Sequence, residues 1–190
     1  MPDLARRWTR EEVLALPDDG NRYELFDGEL LVTPAPTGLH QVALVRLFEI
    51  IAPYVRLHGL GEPLVSPADL DLGGDQLSQP DVFVVPFLPP DRDWRKFPSP
   101  ILIVEILSPS TARADRSIKR RRFQRAGIPE YWIVDLDART IERWGPMDER
   151  PEVLDERLHW HPPGASSALE LDLPAFFRGV WGALGTPLTT

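Results

Sequence analysis

Residues 101–110 read ILIVEILSPS. Large aliphatic side chains fill positions 101–104, 106 and 107, and Glu105 interrupts them. This is the most continuous apolar strand in the chain, and it reads as buried. An isolated carboxylate in such a place costs several kcal/mol even after relaxation, on the order given for buried ions. Glu105 therefore needs a partner. Nineteen arginines offer an ordinary salt bridge; the alternative is a site that requires an acid there.

The segments around this strand give the architecture. Thr9 with Glu12 forms a capping box for a short helix that Pro17 ends. RYELFDGELLV (22–32) is a hairpin turning at Asp27-Gly28. His40 to His58 is helical, with Val42, Val45, Leu47, Phe48 and Ile51 on its buried face and Gly59 and Gly61 as its stop. EPLVS and ADLDL are short strands, GGDQLSQ a loop, and DVFVVPF a strand that Pro86 closes. SPSTARADRSIKRRRFQRAG (108–127) is a capped helix ending before Gly127. YWIVD and TIERW form a second hairpin, and the remaining tail is less regular with one short helix in LDLPAFFRGVW. Helix, hairpin, helix, strands, helix, hairpin is the order of an α/β (α+β) fold with a central mixed β-sheet flanked by helices.

At 190 residues the chain is expected to be a single domain, 1–190, with a sizeable core. It lacks cysteine, which excludes disulfides and thiolate metal sites. No apolar run spans a membrane and the first ten residues lack a secretory core, so a cytoplasmic protein without a membrane partner is expected. The formal charge of −8 excludes a protein that simply coats nucleic acid.

Asp81 opens the strand before Glu105, directly after Pro80. Alone it reads as a turn or strand-opening residue. If the two strands pair, both acids meet at one end of the sheet, where they repel unless a cation sits between them. Hard oxygen ligands suit Mg²⁺ or Mn²⁺. One of two lysines, Lys119, falls inside the apolar arc that Ile118, Phe123 and Ala126 define on the 108–127 helix. Its ammonium either pairs with Asp115 one turn earlier or reaches the carboxylates. Arg113, Arg116 and Arg120 fall on the opposite side. They read as a solvated helix face or as a phosphate-binding patch. His40, without a spaced partner, reads first as a cap or surface residue and second as a neighbour of a metal site.

Pro-Asp opening one strand and an acid inside the next resemble the PD-(D/E)xK nuclease superfamily. More narrowly, YELFDGEL, the QPD strand, VEILSPST, the lysine-bearing helix and GIPEYWIVD resemble the Uma family of restriction-endonuclease-like proteins, from about Tyr23 to Trp144. The superfamily lysine two residues after the acid is Leu107 here; the Uma pattern takes it from the following helix, as Lys119. The resemblance implies a restriction-endonuclease-like core that hydrolyses phosphodiester bonds, in DNA. It implies Mg²⁺ (or Mn²⁺) between Asp81, Glu105 and the Ile106 carbonyl. Lys119 would orient water or offset the leaving charge, and Glu24 would join them unless it is an ordinary hairpin acid. Superfamily members often act as homodimers; Trp144, Trp160 and Trp181 would serve that interface or cover the sheet. The competing readings are a non-cleaving nuclease-like fold that binds nucleic acid or assembles with partners, and a hydrolase of small phosphate esters.

Overall fold

The computed structural model describes residues 6–182. Its elements begin with α1 (Arg10–Leu14), the hairpin β1 (Arg22–Phe26) and β2 (Glu29–Thr33), and the long helix α2 (Gly38–Leu57). Four strands follow: β3 (Glu62–Val65), β4 (Leu70–Asp71), β5 (Leu77–Ser78) and β6 (Val82–Val85). After β7 (Leu102–Ile106) a helical run comprises α3 (Ala112–Ala114), a π turn (Asp115–Lys119) and α4 (Arg120–Arg125). The chain then forms β8 (Tyr131–Asp135), β9 (Thr140–Trp144), β10 (Glu152–Leu154), β11 (Arg157–Trp160), β12 (Leu169–Asp172) and α5 (Leu173–Gly182).

Local chemistry explains the ends. Thr9 and Glu12 exchange the two hydrogen bonds of a capping box at α1. Asp27 and Gly28 both have positive φ, 53° and 81°, which a two-residue hairpin turn demands. Thr37 caps α2 by accepting the N–H of His40.

The central sheet has the order β10-β9-β8-β7-β6-β3. Only β7 and β8 are parallel among its pairs, and the helical run between them is the crossover. A second sheet, β2-β1-β5-β4, and the ribbon β11-β12 complete the strands. Successive side chains of a strand point to opposite faces. Val82, Val84, Leu102, Val104, Trp132 and Val134 therefore pack with α2 and α5 in one core. Phe83, Val85, Ile103, Tyr131 and Ile133 pack with Phe26 and Phe123 in the other. Glu105 and Asp81 share parity with this second set. The register pairs Val82 with Val104, which sets Asp81 opposite Glu105 at the end of the sheet.

The expected α+β fold and its mixed, helix-flanked sheet are found. Several details differ. Helix α2 buries Ala43, Leu44, Leu47, Ile51 and Val55, whereas Val45 is about half exposed (49%). Apolar residues extend around more than one arc of α2, so periodicity did not single out the inner face. Ala126, expected in the buried arc of the next helix, is exposed and lies just after it. The GGDQLSQ loop contains β5, and the tail supplies β10, β11 and β12. Strands of two to four residues are too short to show alternation. Trp144 and Trp160 are buried, and Trp181 donates Nε1–H to the Leu136 carbonyl (3.1 Å). These rings cover the fold's interior and do not form an exposed aromatic patch. No helix among the described residues is long and apolar enough to cross a membrane.

Gly61 opens the edge strand β3 at φ 140°, and a Cβ there would lie 1.9 Å from the Val85 carbonyl oxygen. Gly61→Ala is expected to cost about 3 kcal/mol, as strained backbone and a forced shift of β6 add. Urea unfolding followed by tryptophan fluorescence measures it.

Candidate active site

Lys119 is among the largest fully buried side chains. The π turn carries it, with the Arg120 N–H bonded to the Asp115 carbonyl five residues back. The Tyr131 hydroxyl donates to the same carbonyl (3.2 Å). Asp115, Lys119 and Phe123 thus share the inner face of the helical run. The Lys119 ammonium lies 2.7 Å from Glu24 Oε2, 3.0 Å from Glu105 Oε1 and 3.2 Å from Asp115 Oδ1. Three elements therefore converge on one cation: β1, β7 and the helix itself.

Asp81 has different partners. Arg22 Nη2 donates to Oδ1 (3.0 Å). His40 Nε2 (3.0 Å) and the Ile106 N–H (2.8 Å) both meet Oδ2. Because a carboxylate only accepts, His40 carries its proton on Nε2. Glu24 is gripped from behind: Ser78 Oγ–H and the Gln79 N–H both donate to its Oε1 at 2.9 Å.

Asp81, Glu105, Ile106, Lys119, Arg22 and His40 all line a cavity of about 200 Å³. Two proline-containing stretches, 33–37 and 108–111, complete its lining. Glu24 and Asp115 do not line it. A larger adjoining cavity, about 490 Å³, shares His40 and Ser108 with the first and reaches Arg116 and Asp135.

Four buried carboxyl groups face two permanent cations, Lys119 and Arg22, so full ionisation of all four would leave two negative charges unbalanced. The consequences differ by position. Burial pushes the Glu105 carboxyl well above its ordinary value; Lys119 opposes this, but the charges of Asp81, Asp115 and Glu24 reinforce it. Burial also raises Asp115. Burial would raise Asp81 too, but the His40 hydrogen bond, Arg22 and the Ile106 N–H hold it low. Glu24 is likewise held low, because Lys119 outweighs its burial. For Lys119, burial is overcome by Glu105, Glu24 and Asp115, so its ammonium stays charged well above the usual lysine range.

The structure thus brings together Asp81, Glu105, Lys119 and Glu24. With Leu107 two residues after the acid, it is Lys119 of the crossover helix that lies beside Glu105. Both partners expected separately for Lys119, Asp115 and the strand carboxylate, are engaged at once. The Ile106 backbone borders the cavity, and its N–H is committed to Asp81. Among the expected nucleic-acid contacts, Arg116 borders the larger cavity but binds Asp135 and Glu142. Arg120 lies over the Trp144 ring at 4.6 Å. Arg113 is exposed and lines neither cavity. The sequence does not anticipate one site residue, Arg22, and for His40 it favours a cap or surface role over a place beside a metal site. His40 is buried against Asp81 and is no surface residue, although its backbone is part of the helix cap as expected. Arg22 had no distinguishing signal among nineteen arginines.

Acids and a lysine gathered at the end of a mixed sheet define a restriction-endonuclease-like core. The chain belongs to the Uma2 family, described as "Putative restriction endonuclease", whose pattern matches residues 10–181. A crystal structure from Anabaena variabilis, described as "a putative nuclease belonging to DUF820", superposes with a TM-score of 0.73. It is 24% identical over 91% of this chain and 99% of its own, a likeness that establishes the fold. No curated protein matches the chain.

Ionised Glu105 is unfavourable in the folded state. Its penalty is absent below the ordinary carboxylate pKa of about 4.3, grows as pH rises toward the raised folded value, and is complete above it. Glu105→Gln keeps the acceptor for Lys119 and removes the charge. In EDTA at neutral pH it should be more stable than wild type, with the gain vanishing near pH 4. Lys119→Met strands the acids and should cost about 3–5 kcal/mol. Urea midpoints across pH check both.

Proposed function

We propose that the chain is a divalent-metal-dependent nuclease that hydrolyses phosphodiester bonds in DNA. The observation that supports this best is the meeting of Asp81, Glu105 and Lys119 at the floor of one cavity. Among the described residues no three His, Asp or Glu side chains converge as a complete ligand set. A hard cation needs no such set: one or two carboxylates suffice when substrate phosphate and water fill the other positions. The donor chemistry fits, because the cavity presents two carboxyl groups and the cluster, once fully ionised, has two negative charges in excess. Asp81 and Glu105, with the Ile106 carbonyl, would hold Mg²⁺ or Mn²⁺. Bound there, the ion supplies Lewis-acid polarisation of the phosphoryl group and acidifies water.

The protein's own groups do the rest. Lys119 places a permanent positive charge beside the reacting phosphate, where charge develops. Glu24 and Asp115 hold that ammonium from behind and keep it protonated, so it orients water or offsets leaving charge and does not act as a base. Arg116 borders the path along the larger cavity, and Arg113 and Arg120 extend the cationic helix surface toward the nucleic-acid backbone. A homodimer would present one such site to each strand.

The test is an incubation of supercoiled plasmid and single-stranded DNA with Mg²⁺, Mn²⁺ or EDTA. Wild type should cleave with either metal and stop in EDTA. Glu105→Ala should be at least about 100-fold slower. A working dimer should yield linear plasmid without accumulating nicked circles. Equal cleavage by Glu105→Ala would remove Glu105 from the mechanism. Failure of wild type on every substrate would favour a non-cleaving module.

A further inference from the structure

The two cavity-facing acids are held differently. Glu105 Oε1 accepts one hydrogen bond from a side chain, that of Lys119. Asp81 accepts three, from three separate elements: Arg22 of β1, His40 of α2 and the Ile106 N–H of β7. A carboxylate offers about four lone-pair positions, so about one remains on Asp81.

The two side-chain donors are themselves fixed. Arg22 Nη1 donates to the Gln79 carbonyl (3.0 Å), and Nη2 also reaches Ser66 Oγ (3.2 Å). These bonds tie the guanidinium to the residues that directly follow β3 and β5. His40 sits in the first turn of α2, and its backbone N–H is bound by Thr37 Oγ1 (3.3 Å). Its ring is nine-tenths buried, and the residue lines both cavities. The Arg22 guanidinium cannot swing away without breaking its two loop contacts, and burial confines the His40 ring.

We propose that Arg22 and His40 are positioning residues that fix Asp81 as a single-oxygen ligand for the divalent ion. The inference rests on the metal-dependent reading above. A guanidinium beside a metal ligand opposes cation binding by charge, so Arg22 acts through geometry: it holds one oxygen while His40 and Ile106 hold the other. Asp81 then meets the ion without reorganising, and Glu105, less constrained, completes the contact. Partners that orient a metal ligand commonly matter almost as much as the ligand.

The discriminating measurement is Mn²⁺ affinity of chelator-stripped protein by calorimetry, with circular dichroism and Tm recorded for each variant. His40→Gln places an amide N–H near the Nε2 position and should stay within about threefold of wild type. His40→Phe keeps the ring shape without a donor. His40→Asn has a donor that stops short of Asp81. Both, and Arg22→Lys, which lacks the planar fork, should bind Mn²⁺ about 10- to 100-fold more weakly. If His40→Phe does not fold, His40→Asn against His40→Gln carries the comparison. Folded His40→Asn or Arg22→Lys binding as tightly as wild type overturns the proposal, as does His40→Gln binding as weakly as His40→Asn. Wild type taking up no Mn²⁺ overturns the metal-dependent reading and this proposal with it.

Discussion

A single ammonium in the dark interior of the protein organises everything around it. Lys119 is surrounded by Glu24, Glu105 and Asp115, all within 3.2 Å. Taking one ion out of water costs several kcal/mol, and attraction repays this only when geometry is good and remaining donors and acceptors are satisfied. The chain meets that condition by drawing one acid from each of three elements onto the same point. Remove the lysine, and β1, β7 and the crossover helix have mutually repelling acids between them.

The sheet makes this convergence specific. A strand shifted by one residue would send Glu105 into the apolar core shared with α2 and α5, where no cation waits. The antiparallel pairing of β6 with β7 and the parallel pairing of β7 with β8 keep it on the opposite face. There the helical run passes overhead, and its π turn aligns Asp115 with Lys119. Arg22 and His40 extend the same logic to Asp81 from the second sheet and the long helix. Both larger sheets, the long helix and the crossover helix therefore each contribute a side chain to the cavity or to the groups behind it.

This arrangement leaves the site electrostatically unfinished. With all four acids ionised, two negative charges in excess, next to a water-accessible cavity, would be a standing penalty in the protein by itself. Such tension is common where a structure is built to receive something. Asp81 is held low by its donors and Glu105 is pushed high by burial and its neighbours, although both face the same cavity. Both are buried, but three donors offset this at Asp81, whereas at Glu105 the charges of Asp81, Asp115 and Glu24 add to it against the single donor Lys119.

Much of this was legible in the linear chain. The acid inside ILIVEIL, the acid after Pro80, the lysine on the inner arc of a basic helix and the turn chemistry of both hairpins rest on local rules. Periodicity, capping and the cost of burying charge operate over a few residues, so sequence alone determined the central strands, the crossover helix and three of the four members of the cluster, with Glu24 carried by family resemblance. Other features were decided only in three dimensions. Val45 is as apolar as Leu44, and only packing against β3, β6 and β7 shows which is inside. The strands β11 and β12 acquire their identity from pairing with each other. Arg22 and His40 look ordinary along the chain because their meaning lies 59 and 41 residues away, at Asp81. A hydrogen bond acts over about 3 Å of space, and separation along the chain says nothing about that distance until the register of the sheets closes it.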